Sequence, residues 1–249
     1  MNRLRREKMR KHITEQGSAT VGELKKLFPE VSVMTIHRDL DYLELNGLIT
    51  RVRGGALASM TTMEPVFTER ERENSAAKDL IAQKASTLIR PGSTVFLDAG
   101  TTALAIASHI PDIHFSVFTI GPNIALELLR HEKVSVNLCG GNLNRDNLAL
   151  SGRSTIAMLT QVNIDIAFIG TGGYTAENGF TGGREDEART KKLVIKKART
   201  RVAVMDSSKV GRILPFTFAR LEDFEYVVGD GKLPDELTAQ AAACPITIL

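Results

Sequence analysis

The sequence predicts an α/β chain in two parts: a small N-terminal winged helix-turn-helix domain and a larger C-terminal α/β domain with a mostly parallel sheet. Three observations predict it. Residues 1–57 carry three short helical stripes followed by a basic strand pair around Gly54-Gly55. Residues 76–249 alternate apolar strand-like runs with helical ones, as in sheets covered on both faces. Between them, residues 58–75 open with the small, polar, proline-ended Ala58-Ser59-Met60-Thr61-Thr62-Met63-Glu64-Pro65, which marks a linker.

Length and composition are consistent with this division. A chain of 249 residues suits two domains, and a hydrophobic fraction of 43% is enough for real cores. No run of eighteen apolar residues occurs, so no membrane span is expected. The basic start Met1-Asn2-Arg3-Leu4-Arg5-Arg6 lacks the apolar stretch of a secretory signal. Cys139 and Cys244 lie far apart, which suits a reducing cytoplasm. His12, His37, His109, His114 and His131 form no ligand spacing with each other or with the cysteines, so neither metal nor cofactor is expected. The charge is uneven: residues 1–57 hold eleven Lys and Arg against seven Asp and Glu, while the whole chain carries only +3. A basic module on a near-neutral body points to a polyanion for the first part alone.

In the first domain a helix is expected from Arg3 to Thr14, ended by Gly17. Thr20-Val21-Gly22-Glu23 has the form of a capping box. It opens a short helix with Val21, Leu24, Leu27 and Phe28 inward, stopped by Pro29. After a tight connection Ser32 is a good N-cap for a third helix running to Asn46 and closing at Gly47. Val33, Ile36, Leu40 and Leu43 make its apolar stripe, and Met34, Thr35 and Arg38 face away, with His37 at the flank. Such a helix fits a major groove, where Arg and Thr reach base edges. The strand-like Leu48–Arg53 then forms a wing whose Arg51 and Arg53 are placed for phosphates or a minor groove. This order implies double-stranded DNA as the partner, with a protein-interaction winged helix as the alternative.

In the second domain a helix is expected to Ile89, ended by Pro91-Gly92. Strands are expected at Thr94–Leu97, Ser116–Thr119, Val134–Leu138, Ile164–Ile169, Arg201–Met205, Tyr226–Val228 and Ile246–Leu249. Helices are expected at Thr102–His109, Asn123–Arg130, Glu187–Arg199 and Pro234–Ala243. Ligands of such sheets gather at the carboxyl ends of the strands, so the segments that follow them are the candidates. Asp98-Ala99-Gly100-Thr101-Thr102 opens a helix and offers N–H groups, hydroxyls and a positive dipole end to a phosphate. Gly140 and Gly141 follow the third strand, Gly170 ends the fourth, Glu187 and Lys191 enter the next helix, and Asp206-Ser207-Ser208-Lys209 follows the fifth. Together they describe a site for a small anion.

The run Ser32-x-x-Thr35-Ile36-x-Arg38-Asp39-Leu40, then Leu43-Glu44-x-x-Gly47-x-Ile49-x-Arg51-Val52-x-Gly54-Gly55-Ala56, resembles the N-terminal signature of DeoR-type bacterial transcriptional regulators. Phe67-x-x-Arg70-x-x-x-Asn74-x-x-x-Lys78-x-x-Ile81 is similar to the start of their sensor domain. So, nearly end to end, is the order Asp98-x-Gly100-Thr101-Thr102, Gly140-Gly141, Phe168-Ile169-Gly170, Glu187-Ala188-x-x-Lys191 and Asp206-Ser207-Ser208-Lys209. The resemblance implies a fold shared with ribose-5-phosphate isomerase, a sugar-phosphate inducer and a repressor of carbohydrate metabolism. By the same resemblance Gly100, Thr101 and Thr102 hold the phosphate, Lys209 contacts the ligand, and Asp98 and Glu187 organise loops or accept from hydroxyls. Two positions depart from the family: His37 stands where arginine is usual, and Thr119-Ile120-Gly121-Pro122-Asn123 where Thr-Asn-Ser is usual.

An isomerase-like enzyme is the alternative. Aldose–ketose isomerisation needs a positioned base, commonly a carboxylate. Isomerase spacing puts that position on Lys191, a poor substitute, with Glu185 and Glu187 as the remaining candidates. The expectation is therefore a regulator without catalytic residues, and a homo-oligomer, because paired half-sites multiply the affinity of a small winged helix.

Overall fold

The computed structural model describes residues 2–45, 49–58 and 65–249. The chain divides into two compact units, residues 1–63 and 64–249. In the first, α1 (Asn2–Gln16) is followed by β1 (Ser18–Thr20), α2 (Val21–Leu27), α3 (Val33–Leu45), β2 (Ile49–Val52) and β3 (Gly55–Ala58). The expected capping box is present: Thr20 Oγ1 accepts the Glu23 N–H, and Glu23 Oε2 accepts the Thr20 N–H at 2.7 Å. Ser32 caps α3, its Oγ accepting the Thr35 N–H at 3.1 Å. The expected close of α3 at Asn46 and Gly47 lies outside the described residues.

Met9, Ile13, Leu24, Phe28, Ile36, Leu40, Leu43 and Ile49 form the core of this unit. Two expected core positions differ. Val33 is 46% exposed because it starts α3, where the helix has not yet reached its packing partners, and Leu27 ends α2 at 48%. The wing is a three-stranded antiparallel sheet in the order β1-β3-β2, so the short β1, not expected from the sequence, covers one side of the hairpin.

The second unit opens with α4 (Phe67–Arg72) and α5 (Ser75–Ser86), so residues assigned to the linker already form structure there. Then come β4 (Thr94–Leu97), α6 (Thr101–His109), β5 (Phe115–Thr119), α7 (Pro122–Leu128), β6 (Val134–Leu138), and the hairpin β7 (Asn142–Asn144) and β8 (Ala149–Ser151). The chain continues through α8 (Arg153–Gln161), β9 (Ile166–Gly170), β10 (Gly173–Thr175), β11 (Gly179–Gly182), α9 (Glu185–Lys197), β12 (Thr200–Val204) and β13 (Phe216–Ala219). It ends with β14 (Tyr226–Val228), α10 (Asp235–Ala242) and β15 (Thr247–Ile248).

The seven expected strands make one sheet, parallel throughout, in the order β15-β14-β12-β9-β4-β5-β6. Val95, Leu97, Ile166 and Phe168 pack on one face with Ile81, Ile106 and Ile124 from α5, α6 and α7. Phe96, Ala167 and Ile169 pack on the other with Leu159, Val194 and Leu237 from α8, α9 and α10. Burial on both faces is why the central strands β4, β9 and β12 read as apolar runs. From β4 the chain winds outward through β5 to β6, then returns to lay β9 on the other side of β4 and winds the opposite way. The reversal between β4 and β9 is a topological switch point, where a crevice opens beyond the strand ends.

Candidate functional site

That crevice is lined by segments following several strands of the sheet. Asp98–Ala103 comes from the end of β4 and the start of α6, Gly170–Gly172 follows β9, and Lys209 follows β12. Glu187 and Lys191 come from α9, Asn147 and Ala149 from the β7–β8 hairpin, and Arg70 from α4. Of the residues named from the sequence, Asp98, Gly100, Thr101, Thr102, Gly170, Glu187, Lys191 and Lys209 meet here. Gly140 and Gly141 do not line the crevice. Gly141 serves packing instead, since with φ +145° a Cβ there would lie 2.3 Å from Thr155 Oγ1 and 2.5 Å from the Ser151 carbonyl oxygen.

The floor is an ion pair. Asp98, 1% exposed, receives the Lys191 ammonium and the Gly170 N–H (3.0 Å) on Oδ2, and the Ala99 N–H (2.9 Å) on Oδ1. Lys191 Nζ also donates to the Gly170 carbonyl at 2.8 Å and sits 5.2 Å from the centre of the Phe218 ring. Both charges are thus satisfied internally, and the pair ties the ends of β4 and β9 to α9. Gly100, with φ +114°, lets the chain turn so that α6 starts at Thr101 with its unpaired N–H groups toward the crevice. Glu187 is buried in the first turn of α9.

The rim is pinned from outside. Asp206 Oδ1 accepts the Ser208 N–H (3.0 Å), and Asp230 Oδ2 accepts the Ser207 N–H (3.2 Å) and hydroxyl (2.9 Å). These bonds set the turn that carries Lys209. Arg70, from the segment expected to be linker, adds a further cation to Lys191 and Lys209. The motif Phe67-x-x-Arg70 marks the residue in the sequence, although the segment Phe67–Arg72 has no apolar periodicity to mark it as a helix.

In the first unit part of the basic surplus is spent on structure. Arg5 and Arg6 donate through Nε to the buried Asp39 carboxylate at 2.6 and 2.7 Å, fastening α1 to α3. Lys25 Nζ donates to the carbonyls of Pro29 (2.9 Å) and Val31 (2.6 Å), closing the turn between α2 and α3. Arg51 joins the wing to α3: its guanidinium donates to Asp41, to the His37 carbonyl (3.3 Å) and to His37 Nδ1 (2.9 Å), and its N–H donates to Glu44 at 2.8 Å. Since arginine has only donors, His37 Nδ1 accepts, and a proton on the neutral ring sits on Nε2. Met34, Arg38 and Arg53 are exposed, Thr35 and His37 half-buried, and Ser32 is exposed with its hydroxyl committed to the cap.

Two family models match this chain. The DeoR-like helix-turn-helix domain matches residues 5–62, and the DeoR C terminal sensor domain matches residues 73–231. The chain belongs to the DeoR family. Among its relatives, the HTH-type transcriptional regulator GlpR of Haloferax volcanii is 36% identical over 88% of this chain and 86% of its own length. GolR of Listeria innocua is 32% identical over 95% of both chains. The HTH-type transcriptional repressor GlcR of Bacillus subtilis is 33% identical over 83% of this chain and 80% of its own. Ribose 5-phosphate isomerase A from Methanocaldococcus jannaschii overlays 56% of each chain at 17% identity with a TM-score of 0.42. The DeoR assignment makes the molecule a DNA-binding transcriptional regulator with a C-terminal sensor domain. Among the described residues no helix is long and apolar enough to cross a membrane.

Proposed function

We propose that this regulator represses a carbohydrate-metabolism operon and is controlled by a phosphorylated sugar bound in the crevice at the switch point. The observation that carries the reading is the convergence of Gly100, Thr101 and Thr102 at the start of α6 with Lys209 across the opening. N–H groups, hydroxyls and a cation suit a phosphate dianion, and the buried Glu187 suits sugar hydroxyls. Repression follows the description of the GlcR relative as a repressor. The α3 face of Met34, Thr35, His37 and Arg38 reads operator bases, while Arg53 meets the adjacent backbone. Homo-oligomerisation is supported by Leu126 on α7 and Leu129 at its C-cap, 69% and 68% exposed, an apolar face that a second copy would cover. Turnover is not expected, because the Lys191 ammonium at the isomerase base position is already held by Asp98.

The test is fluorescence anisotropy with DNA from upstream of its own gene, at two salt concentrations, with and without pooled sugar phosphates. Specific, salt-steep binding that the pool changes is the expected result. A useful response requires the ligand to favour one state by about 3 kcal/mol, or roughly 150-fold. Arg38→Ala should weaken DNA binding alone and Thr101→Ala sugar-phosphate binding alone. Specific DNA binding indifferent to the pool would sink the ligand assignment. Isomerisation of a pentose or hexose phosphate would return the crevice to the enzymes.

A further inference from the structure

The crevice holds one cation on the element that follows directly from the chain joining the two units. Arg70 Nη1 would lie 4.0 Å from a Cβ built on Gly100, so the guanidinium faces the phosphate-type loop at close range. The helix that carries it has six residues, too short to hold itself by backbone bonds alone. Its position is set by fastenings to the rim. At its start the Phe67 N–H donates to the Asp146 carbonyl at 2.5 Å, next to the lining residue Asn147. At its end the buried Lys78 ammonium donates to the carbonyls of Arg70 and Glu73. Asn74, left-handed at φ 51°, donates through Nδ2 to Asp206 Oδ1 (3.2 Å) and Ser208 Oγ (3.1 Å), on the turn that carries Lys209.

These fastenings gather positive charge. Burial pulls the Lys78 pKa below its ordinary value, and nearby Lys209 and Arg70 pull in the same direction against Asp206 and Glu73. A dianion in the crevice would relieve that repulsion, and a planar guanidinium grips two phosphate oxygens at once.

We propose that Arg70 is a further anion-binding residue of the crevice, and that α4, strapped to the Asp146 and Asp206 loops, passes occupation of the crevice to the chain leading to the DNA-binding unit. The inference rests on reading the crevice as a sugar-phosphate site. A ligand shifts an equilibrium only through contacts that differ between the two states. Arg70 supplies such a contact on the element that connects, whereas Gly100 to Thr102 sit on the rigid sheet side.

The test uses the full-length protein. Calorimetry with fructose 1-phosphate, fructose 6-phosphate, glucose 6-phosphate and ribose 5-phosphate identifies the tightest binder, and anisotropy of the upstream DNA reads its effect. Arg70→Ala should weaken that binder about tenfold or more, the loss expected for a charged hydrogen bond, with Arg70→Lys recovering part of it. Asn74→Gly keeps the left-handed backbone and removes both side-chain bonds. It should weaken sugar-phosphate binding less than Arg70→Ala does, while losing most of the DNA response that remains at saturating ligand. Parent-like binding by Arg70→Ala, or a parent-like DNA response from Asn74→Gly, overturns the inference. Thr101→Ala separates the two levels: if it loses binding and Arg70→Ala does not, only the strap fails. If neither loses binding, or none of the four compounds binds the parent, the crevice reading fails and takes the strap with it.

Discussion

Lys191 commits its ammonium to Asp98 beneath the crevice, at 10% and 1% side-chain exposure. Breaking a buried pair leaves one charge uncompensated, at a cost of about 3–5 kcal/mol. Lys191→Met should therefore lower the urea midpoint sharply, and the double variant Asp98→Asn/Lys191→Met should recover much of the loss. A Lys191→Met protein as stable as its parent would remove the pair from its structural role.

The two wing arginines should separate in their salt dependence. Arg53 is exposed at the hairpin turn, so Arg53→Ala should reduce the salt slope of DNA binding by about one. Arg51 is engaged with Asp41 and His37, so Arg51→Ala should instead cost roughly 1 kcal/mol of stability by loosening the wing from α3. Salt titrations and thermal melts on both variants check this; a slope change confined to Arg51→Ala would reverse the assignment.

Glycine substitutions should sort by crowding. At Gly141 an added Cβ meets Thr155 and Ser151 at 2.3 and 2.5 Å, and Gly141→Ala should cost about 2 kcal/mol or more. Gly54→Ala, at φ +86° with nothing within 4 Å, carries only the left-handed penalty of roughly 1–2 kcal/mol. Denaturation curves rank the two, and the opposite ranking would contradict the packing described around Gly141.

The two cysteines should differ in reactivity. Burial pushes the Cys139 thiol up to about 11, and the side chain is fully covered, whereas Cys244 is half-buried. With a disulfide reagent in native buffer one thiol should react quickly and the second only in denaturant. The pH sign follows: above pH 9.0 the unfolded chain loses this proton first, so stability falls as pH rises toward about 11. Cys139→Ala should flatten that part of the alkaline stability profile.

The central strands of the large sheet, such as β4, β9 and β12, were legible because they are apolar runs, a direct result of burial on both faces. The Thr20–Glu23 box and the Ser32 cap were legible because capping depends on residues within one helical turn. The small sheet β10-β11-β13 was hidden, since its strands are short, partly glycine in β10 and β11, and β13 is distant in sequence from the other two. So was α8, whose polar residues mask its apolar side. At Val33 the periodicity was right and the packing absent.

The central pairing of β4 with β9 also constrains how the molecule is made. The bond from the Gly170 N–H to Asp98 joins positions 72 residues apart, whereas β4, β5 and β6 are linked by short local crossovers. Long-range pairing is slow because loop closure precedes its reward, and chains emerge from the ribosome N-terminus first. The crevice therefore exists only after β9 has docked beside β4. Completion of the crevice thus waits on the long-range closure that brings β9 to β4, and a chain that has not made it has no crevice.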